Sequence, residues 1–116
     1  MKILVVDDNV ELCILLAEQL SWFGHVLFTA YNGQEACTIL DKESIDLIIL
    51  DMAMPVMDGQ AFLDEKRWRD WHGVPVIVIT GYEAEPREGS DYMMAVKKPF
   101  STAKLVEAIG TAPVST

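Results

Sequence analysis

Residues 46–59 read Asp-Leu-Ile-Ile-Leu-Asp-Met-Ala-Met-Pro-Val-Met-Asp-Gly. The apolar run Leu47 to Leu50 is strand-sized, shows no polar alternation and stops abruptly at a carboxylate. A run of that kind fits a central strand covered on both faces. A strand over Asp46–Leu50 is therefore expected, then a loop from Asp51 to Asp58 that contains Pro55, then a helix beyond Gly59.

Working outward, Ile3–Val6 is a second unalternating run that ends in Asp7-Asp8, and Pro75–Thr80 is the clearest strand of the chain. His25–Thr29 and Met93–Lys97 complete five strands. Between them lie helical patterns. Asp8 is expected to cap the first helix, with Glu11 closing a capping box and Leu12, Leu15, Leu16, Leu20 and Phe23 forming its stripe up to Gly24. Asn32-Gly33 is turn chemistry, and Gln34 to Lys42 carries Ala36, Cys37 and Leu40 at helical spacing. Gln60–Trp71 reads as a third helix with the basic Lys66-Arg67-Trp68-Arg69 near its end. Trp68 and Trp71 make no clean stripe with Phe62 and Leu63 and are expected at the sheet edge. Ser101 caps a last helix over Thr102–Ile109, released at Gly110, and residues 111–116 are expected to fray. Between Thr80 and Met93, Gly81, Pro86 and Gly89 punctuate a polar stretch that cannot hold a good helix.

Strands alternating with helices imply right-handed crossovers and a parallel sheet between two helical layers, an α/β fold. The chain has 116 residues, enough for one domain and too few for two independent cores. Half of it is hydrophobic and about a quarter charged, which excludes a disordered chain. Nine basic against eighteen acidic residues give a net charge of -9, a surface that repels nucleic acid and anionic lipid. Cys13 and Cys37 lack CxxC spacing and read as reduced core thiols. No run approaches the roughly 18 apolar residues a membrane span needs. Met1 to Val6 begins like a signal peptide, but Asp7-Asp8 interrupts it well before the roughly 7 to 15 apolar residues required. A cytoplasmic protein is expected.

In open α/β sheets ligands bind beyond the carboxyl ends of the strands, where strand order reverses. With the order 2-1-3-4-5, strands one and three are neighbours about 4.8 Å apart, so Asp7, Asp8 and Asp51 face one another across that point. Strand four ends at Thr80 and strand five at Lys97-Lys98. Three carboxylates in one pocket repel, and a divalent cation is the natural relief. Hard oxygen donors without His or Cys suit Mg²⁺, and no EF-hand spacing is present for Ca²⁺. An aspartate can attack phosphorus when cations neutralise the developing charge. A lysine and a threonine hydroxyl supply partners for the phosphoryl oxygens. Taken singly, Asp8 reads as a helix cap, Asp51 as a loop opener, Thr80 as a strand residue and Lys97-Lys98 as a solvated pair. Their coincidence at one sheet edge favours a site.

Val5-Val6-Asp7-Asp8, Leu50-Asp51-Met52-Ala53-Met54-Pro55 with Met57-Asp58-Gly59, Thr80-Gly81 and Lys98-Pro99-Phe100 together resemble the receiver domain of two-component response regulators, over almost the whole chain. The resemblance implies a flavodoxin-like three-layer sandwich, a receiver domain over 1–110 and a short flexible tail over 111–116. The strand order 2-1-3-4-5 rests partly on it. It also implies that Asp51 is the phosphoacceptor and that Asp7, Asp8 and the Ala53 backbone carbonyl join Asp51 in holding Mg²⁺. Thr80 would sense the phosphoryl group and Lys98, which precedes Pro99, would pair with it; Lys97 is the competing lysine. The Lys98-Pro99 peptide is expected to be cis.

Two departures stand out. Many receivers carry an aromatic residue three positions before the Lys-Pro lysine, where this chain has Ala95, so the usual relay cannot run there; Tyr82 and Tyr92 are candidate substitutes. The stretch from Thr80 to Lys98 is short, and a weak or missing fourth helix is expected in it. Thr80-Gly81-Tyr82 ahead of such a loop resembles a receiver subgroup marked by Phe-Ala-Thr-Gly-Tyr, with Val78-Ile79 in the first two places. The expected function is a Mg²⁺-dependent signalling switch phosphorylated by a histidine kinase or a phosphotransfer protein. Its output is expected through an unknown downstream protein, because no DNA-binding segment follows the last helix. The alternatives are a receiver cut from a hybrid kinase or a DNA-binding regulator, and an aspartyl phosphohydrolase. The last is disfavoured because Ala53 stands where such enzymes place their general acid.

Overall fold

The computed structural model describes residues 1–54, 56–81 and 85–112. Five strands, β1 (Lys2–Val6), β2 (Val26–Ala30), β3 (Leu47–Asp51), β4 (Val76–Thr80) and β5 (Met94–Lys97), form one sheet in the order 2-1-3-4-5. Every pairing is parallel. Helices α1 (Val10–Ser21), α2 (Gly33–Lys42), α3 (Gly59–Lys66) and α4 (Thr102–Gly110) cover its faces. β3 and β4 are buried at every residue, as their unalternating apolar runs require.

The sheet divides the core in two. Leu4, Val6, Ile48, Leu50 and Val78 face α2 and α3, where Phe62 and Trp71 lie. Ile3, Val5, Ile49, Ile77, Val96 and Leu105 pack on the other face with Cys13, Leu16 and Leu20 of α1. Both cysteines are free and buried.

Several local expectations are corrected. Asn9, not Asp8, caps α1: its side chain accepts from the Leu12 N–H at 3.1 Å. The buried stripe of α1 is Cys13, Leu16 and Leu20, while Leu15 is 47% and Phe23 58% exposed. A helix with apolar residues nearly all round offers several stripes; the one that packs on the sheet is Cys13, Leu16 and Leu20, with the Cys13 thiol donating to the Asp7 carbonyl at 3.3 Å. α3 ends at Lys66 rather than Trp71. Beyond it, Trp68 N–H and Arg69 N–H bond carbonyls three residues back, tightening the chain into turns. That turn carries Trp71 back over Phe62, ring centroids 5.6 Å apart, with its indole N–H donating to Asp41 at 2.9 Å. Trp71 is therefore core, and Trp68 is a solvent-exposed turn residue rather than part of the sheet edge. Ala112 is still buried against the α1–α4 core, and residues 113–116 lie outside the described residues.

Among the described residues no helix stands between β4 and β5: residues 85–93 cross without one. This is the missing helix expected from Pro86 and Gly89, and Gly89 takes the left-handed φ of 85°. Tyr82 lies outside the described residues. Tyr92 is 38% exposed at the end of this connection, and Ala95 faces solvent on β5. No helix among the described residues is long and apolar enough to cross a membrane.

Phe62 is fully buried and stacked, so Phe62→Ala should cost about 3–5 kcal/mol of unfolding free energy. Trp68→Ala should stay within about 0.5 kcal/mol of the parent. Urea denaturation of the two variants checks the contrast.

Candidate phosphoacceptor and metal site

Parallel register brings the polar residues together. Val6 is level with Leu50, so Asp7 and Asp51, each one residue further on, end adjacent strands side by side. Asp51 is level with Ile79, and Thr80 with Lys97, so Thr80 and Lys98 emerge just above Asp51. Asp7, Asp8 and Asp51 each offer a carboxylate oxygen, all within 4.8 Å of one another. Asp7 and Asp51 are buried at 1% and 3% exposure, and Asp8 is exposed. With Asn9 taking the capping role, the Asp8 carboxylate is left to the cluster.

Lys98 Nζ lies 3.4 Å from Asp51 Oδ1. Lys97 instead sits 4.0 Å from Glu85, on a side chain that is largely solvent-exposed. The Lys98-Pro99 peptide is cis. The Ala53 N–H donates to Asp51 Oδ1 at 3.3 Å, folding the loop tightly over the acceptor. Thr80 is buried beside them at 2% exposure. Two residues of this neighbourhood were not read as functional from sequence. The Asn9 N–H donates to Asp7 Oδ1 at 2.9 Å, a contact hidden by the competing cap signal at Asp8. Gly59 presses on the acceptor's backbone: a Cβ there would lie 2.5 Å from Met52 Cα and 2.8 Å from the Asp51 carbonyl oxygen. The Met-Asp-Gly triplet carries that signal, because only glycine permits so close an approach.

Asp7 Oδ2 is buried and has no hydrogen-bond partner. Burial, more than any other cause, pushes the Asp7 carboxyl from its usual 3.8 up to about 6. The charges of Asp51 and Asp8 push the same way, while the Asn9 N–H and Lys98 oppose them. An orphaned buried oxygen facing two further carboxylates is the donor set a hard divalent cation satisfies. The residues present therefore fit such an ion. Burial and the same carboxylates push the Cys13 thiol up to about 11, so it is no nucleophile at neutral pH.

With this geometry the comparisons with known proteins agree. The family model described as Response regulator receiver domain matches residues 3–110. The transcriptional regulatory protein CpxR of Escherichia coli K12 is 40% identical over 115 residues, 93% of this chain and 47% of that protein. The sporulation initiation phosphotransferase F of Bacillus subtilis is 37% identical over 112 residues, covering 93% of this chain and 90% of that protein. Among solved structures, the chemotaxis response regulator CheY4 of Vibrio cholerae superposes with a TM-score of 0.86 at 26% identity, over 97% of this chain and 98% of that one. The chain belongs to the receiver domain family of response regulators. It spans about half the length of CpxR and other curated regulators it matches.

Asp7 is held above its unfolded pKa, so ionising it costs the folded state. That stability is fully present below about pH 4 and is lost as pH rises through about 6, on the order of 3 kcal/mol. In metal-free buffer Asp7→Asn should therefore unfold at higher urea than the parent above about pH 6, with the gap closing toward pH 4. An equal midpoint for the two proteins at neutral pH would contradict the assignment.

Proposed function

We propose that this receiver is a phosphorylation-dependent switch in which Asp51 accepts a phosphoryl group from a phosphohistidine of a histidine kinase or phosphotransfer protein in the cytoplasm. The observation that carries the proposal is the convergence of three carboxylates with the Lys98 ammonium 3.4 Å from Asp51. An Asp51 carboxylate oxygen attacks phosphorus, the phosphorus–nitrogen bond of the donor breaks, and the imidazole leaves with a proton. Lys98 places a positive charge against the incoming oxygens, and the Thr80 hydroxyl donates to one of them. Asp7, Asp8, Asp51 and the Ala53 carbonyl are the groups that would hold Mg²⁺. When bound, the ion neutralises the crowded carboxylates and the phosphoryl oxygens. Asn9 and Ala53 N–H groups keep the Asp7 and Asp51 carboxylates aimed into the shared hollow.

No acid stands at Ala53 to protonate a leaving alkoxide, which supports a self-modifying switch over an enzyme for external phosphomonoesters. Partner proteins rather than nucleic acid are the direct contacts of an acidic domain. A second reading follows from the relatives named as transcriptional regulators, which are about twice as long: the receiver governs an output domain in the same polypeptide.

Incubation with acetyl phosphate and Mg²⁺ should add one base-labile acyl phosphate per chain, read as a mass increase, and EDTA should abolish it. Asp51→Asn should take up none, and Lys98→Ala should slow uptake about 100-fold. Uptake by Asp51→Asn equal to the parent's would refute the assignment of the acceptor.

A further inference from the structure

β2 is not a neighbour of β3, because β1 lies between them. The short connection from β2 to α2 nevertheless touches the loop that follows β3. At its start the Ala30 carbonyl accepts from the Asp7 N–H at 3.0 Å, and at its end the Gly33 N–H donates to the Met57 carbonyl at 3.0 Å. One turn therefore holds the backbone of a cluster carboxylate at one end and the loop leaving Asp51 at the other.

The turn is stiffened by its own side chains. Asn32 caps α2 by accepting from the Glu35 N–H at 2.9 Å, and the Glu35 carboxylate reaches back to accept from the Tyr31 N–H at 2.9 Å. Gly33 is buried, and a Cβ on it would lie 2.7 Å from Met57 Cγ, 2.8 Å from Met57 Sδ and 3.0 Å from the Met57 carbonyl oxygen. No side chain enters there without displacing Met57. On the loop side the contact is passed back to the acceptor: the Ala53 N–H donates to Asp51 Oδ1, the Gly59 N–H donates to the Met52 carbonyl, and Asp58 caps α3. Met57 sits between these ties, and the Gly33 bond joins it to a second element.

We propose that Gly33 is a positioning residue that sets the spacing between the Asp7-Asp8 and Asp51 sides of the cluster, and so its preference for a small divalent cation over a larger one. The ion itself rests on the function proposed above. Mg²⁺ demands oxygens at about 2.0–2.1 Å in a strict arrangement, whereas Ca²⁺ accepts about 2.3–2.6 Å and irregular surroundings. Discrimination between the two follows from the rigidity of the ligand frame. A turn fastened to both sides supplies that rigidity from outside the ligand set. Wedging Gly33 away from Met57 lets the sides separate, which penalises the smaller ion first.

Titration of the metal-free full chain with Mg²⁺ and, separately, with Ca²⁺ tests this. The readout is the amide NMR shift of Asn9 and Ala53, whose N–H groups donate to the Asp7 and Asp51 carboxylates. Gly33→Ala should weaken Mg²⁺ binding roughly tenfold or more. Its Ca²⁺ binding should change by less than about threefold. Adding Met57→Ala removes two of the three atoms that crowd the new Cβ and should bring Mg²⁺ binding back to within about threefold of the parent. Gly73→Ala, where a Cβ meets nothing within 4 Å, should bind both ions as the parent does. If Mg²⁺ is not the more weakened ion in Gly33→Ala, the proposal falls, and it falls equally if Met57→Ala gives no rescue. Should circular dichroism show that Gly33→Ala does not fold, Met57→Gly decides instead. It loosens the loop without crowding the turn, and an Mg²⁺-to-Ca²⁺ preference equal to the parent's overturns the proposal. A parent whose amides respond to neither ion defeats the metal site itself and this role with it, whereas a parent that binds both leaves Gly33 alone on trial.

Discussion

Two carboxylates are buried side by side at the ends of neighbouring strands, and the rest of the site is arranged around that unfavourable contact. Asp7 and Asp51 are brought together by the parallel register of β1 and β3, which also defines the two hydrophobic layers. The fold cannot separate them without sliding a fully buried strand, and a slip of one residue would turn its whole apolar set to the opposite layer. Burial keeps water from screening the pair, so its repulsion is relieved by a proton, by a cation, by Lys98 or by hydrogen-bond donors supplied by the protein. The same constraint explains why Asn9 and Ala53 each give a backbone N–H to a carboxylate rather than to a carbonyl.

Much of this was legible in the chain because parallel strands buried on both faces announce themselves as unbroken apolar runs. Ile3–Val6, Leu47–Leu50 and Val76–Ile79 each stop at a polar residue that the structure places at the sheet's carboxyl edge. That no helix lies between β4 and β5 among the described residues was readable as well, since proline and two glycines leave a helix few usable residues. The resemblance to receivers supplied the roles, and part of the strand order.

What remained hidden was decided by contacts distant in sequence. Leu15 and Cys13 are equally plausible core residues of α1 in the sequence, and only packing against β1, β3 and α4 separates them. Adjacent Asp8 and Asn9 both suit a cap, and only the direction of entry into α1 distinguishes them. The C-terminal half of the expected third helix has adequate propensity, yet stacking of Trp71 on Phe62 and its bond to Asp41 draw the chain into turns. The buried Lys66, which donates to the His72 carbonyl, secures the same turns. No local pattern announces a lysine inside a core.

The loop 85–91 contacts α3 through Arg87, Gly89 and Ser90, on one side of the sheet, with Glu85 reaching Lys97 of β5, while α1 and α4 pack on the other side. Five strands stand between the two layers. Residues of the α1–α4 layer are therefore free to diverge under pressures of recognition without disturbing that loop, and the loop without disturbing them. Selection can tune the two sides of this small molecule as separate traits.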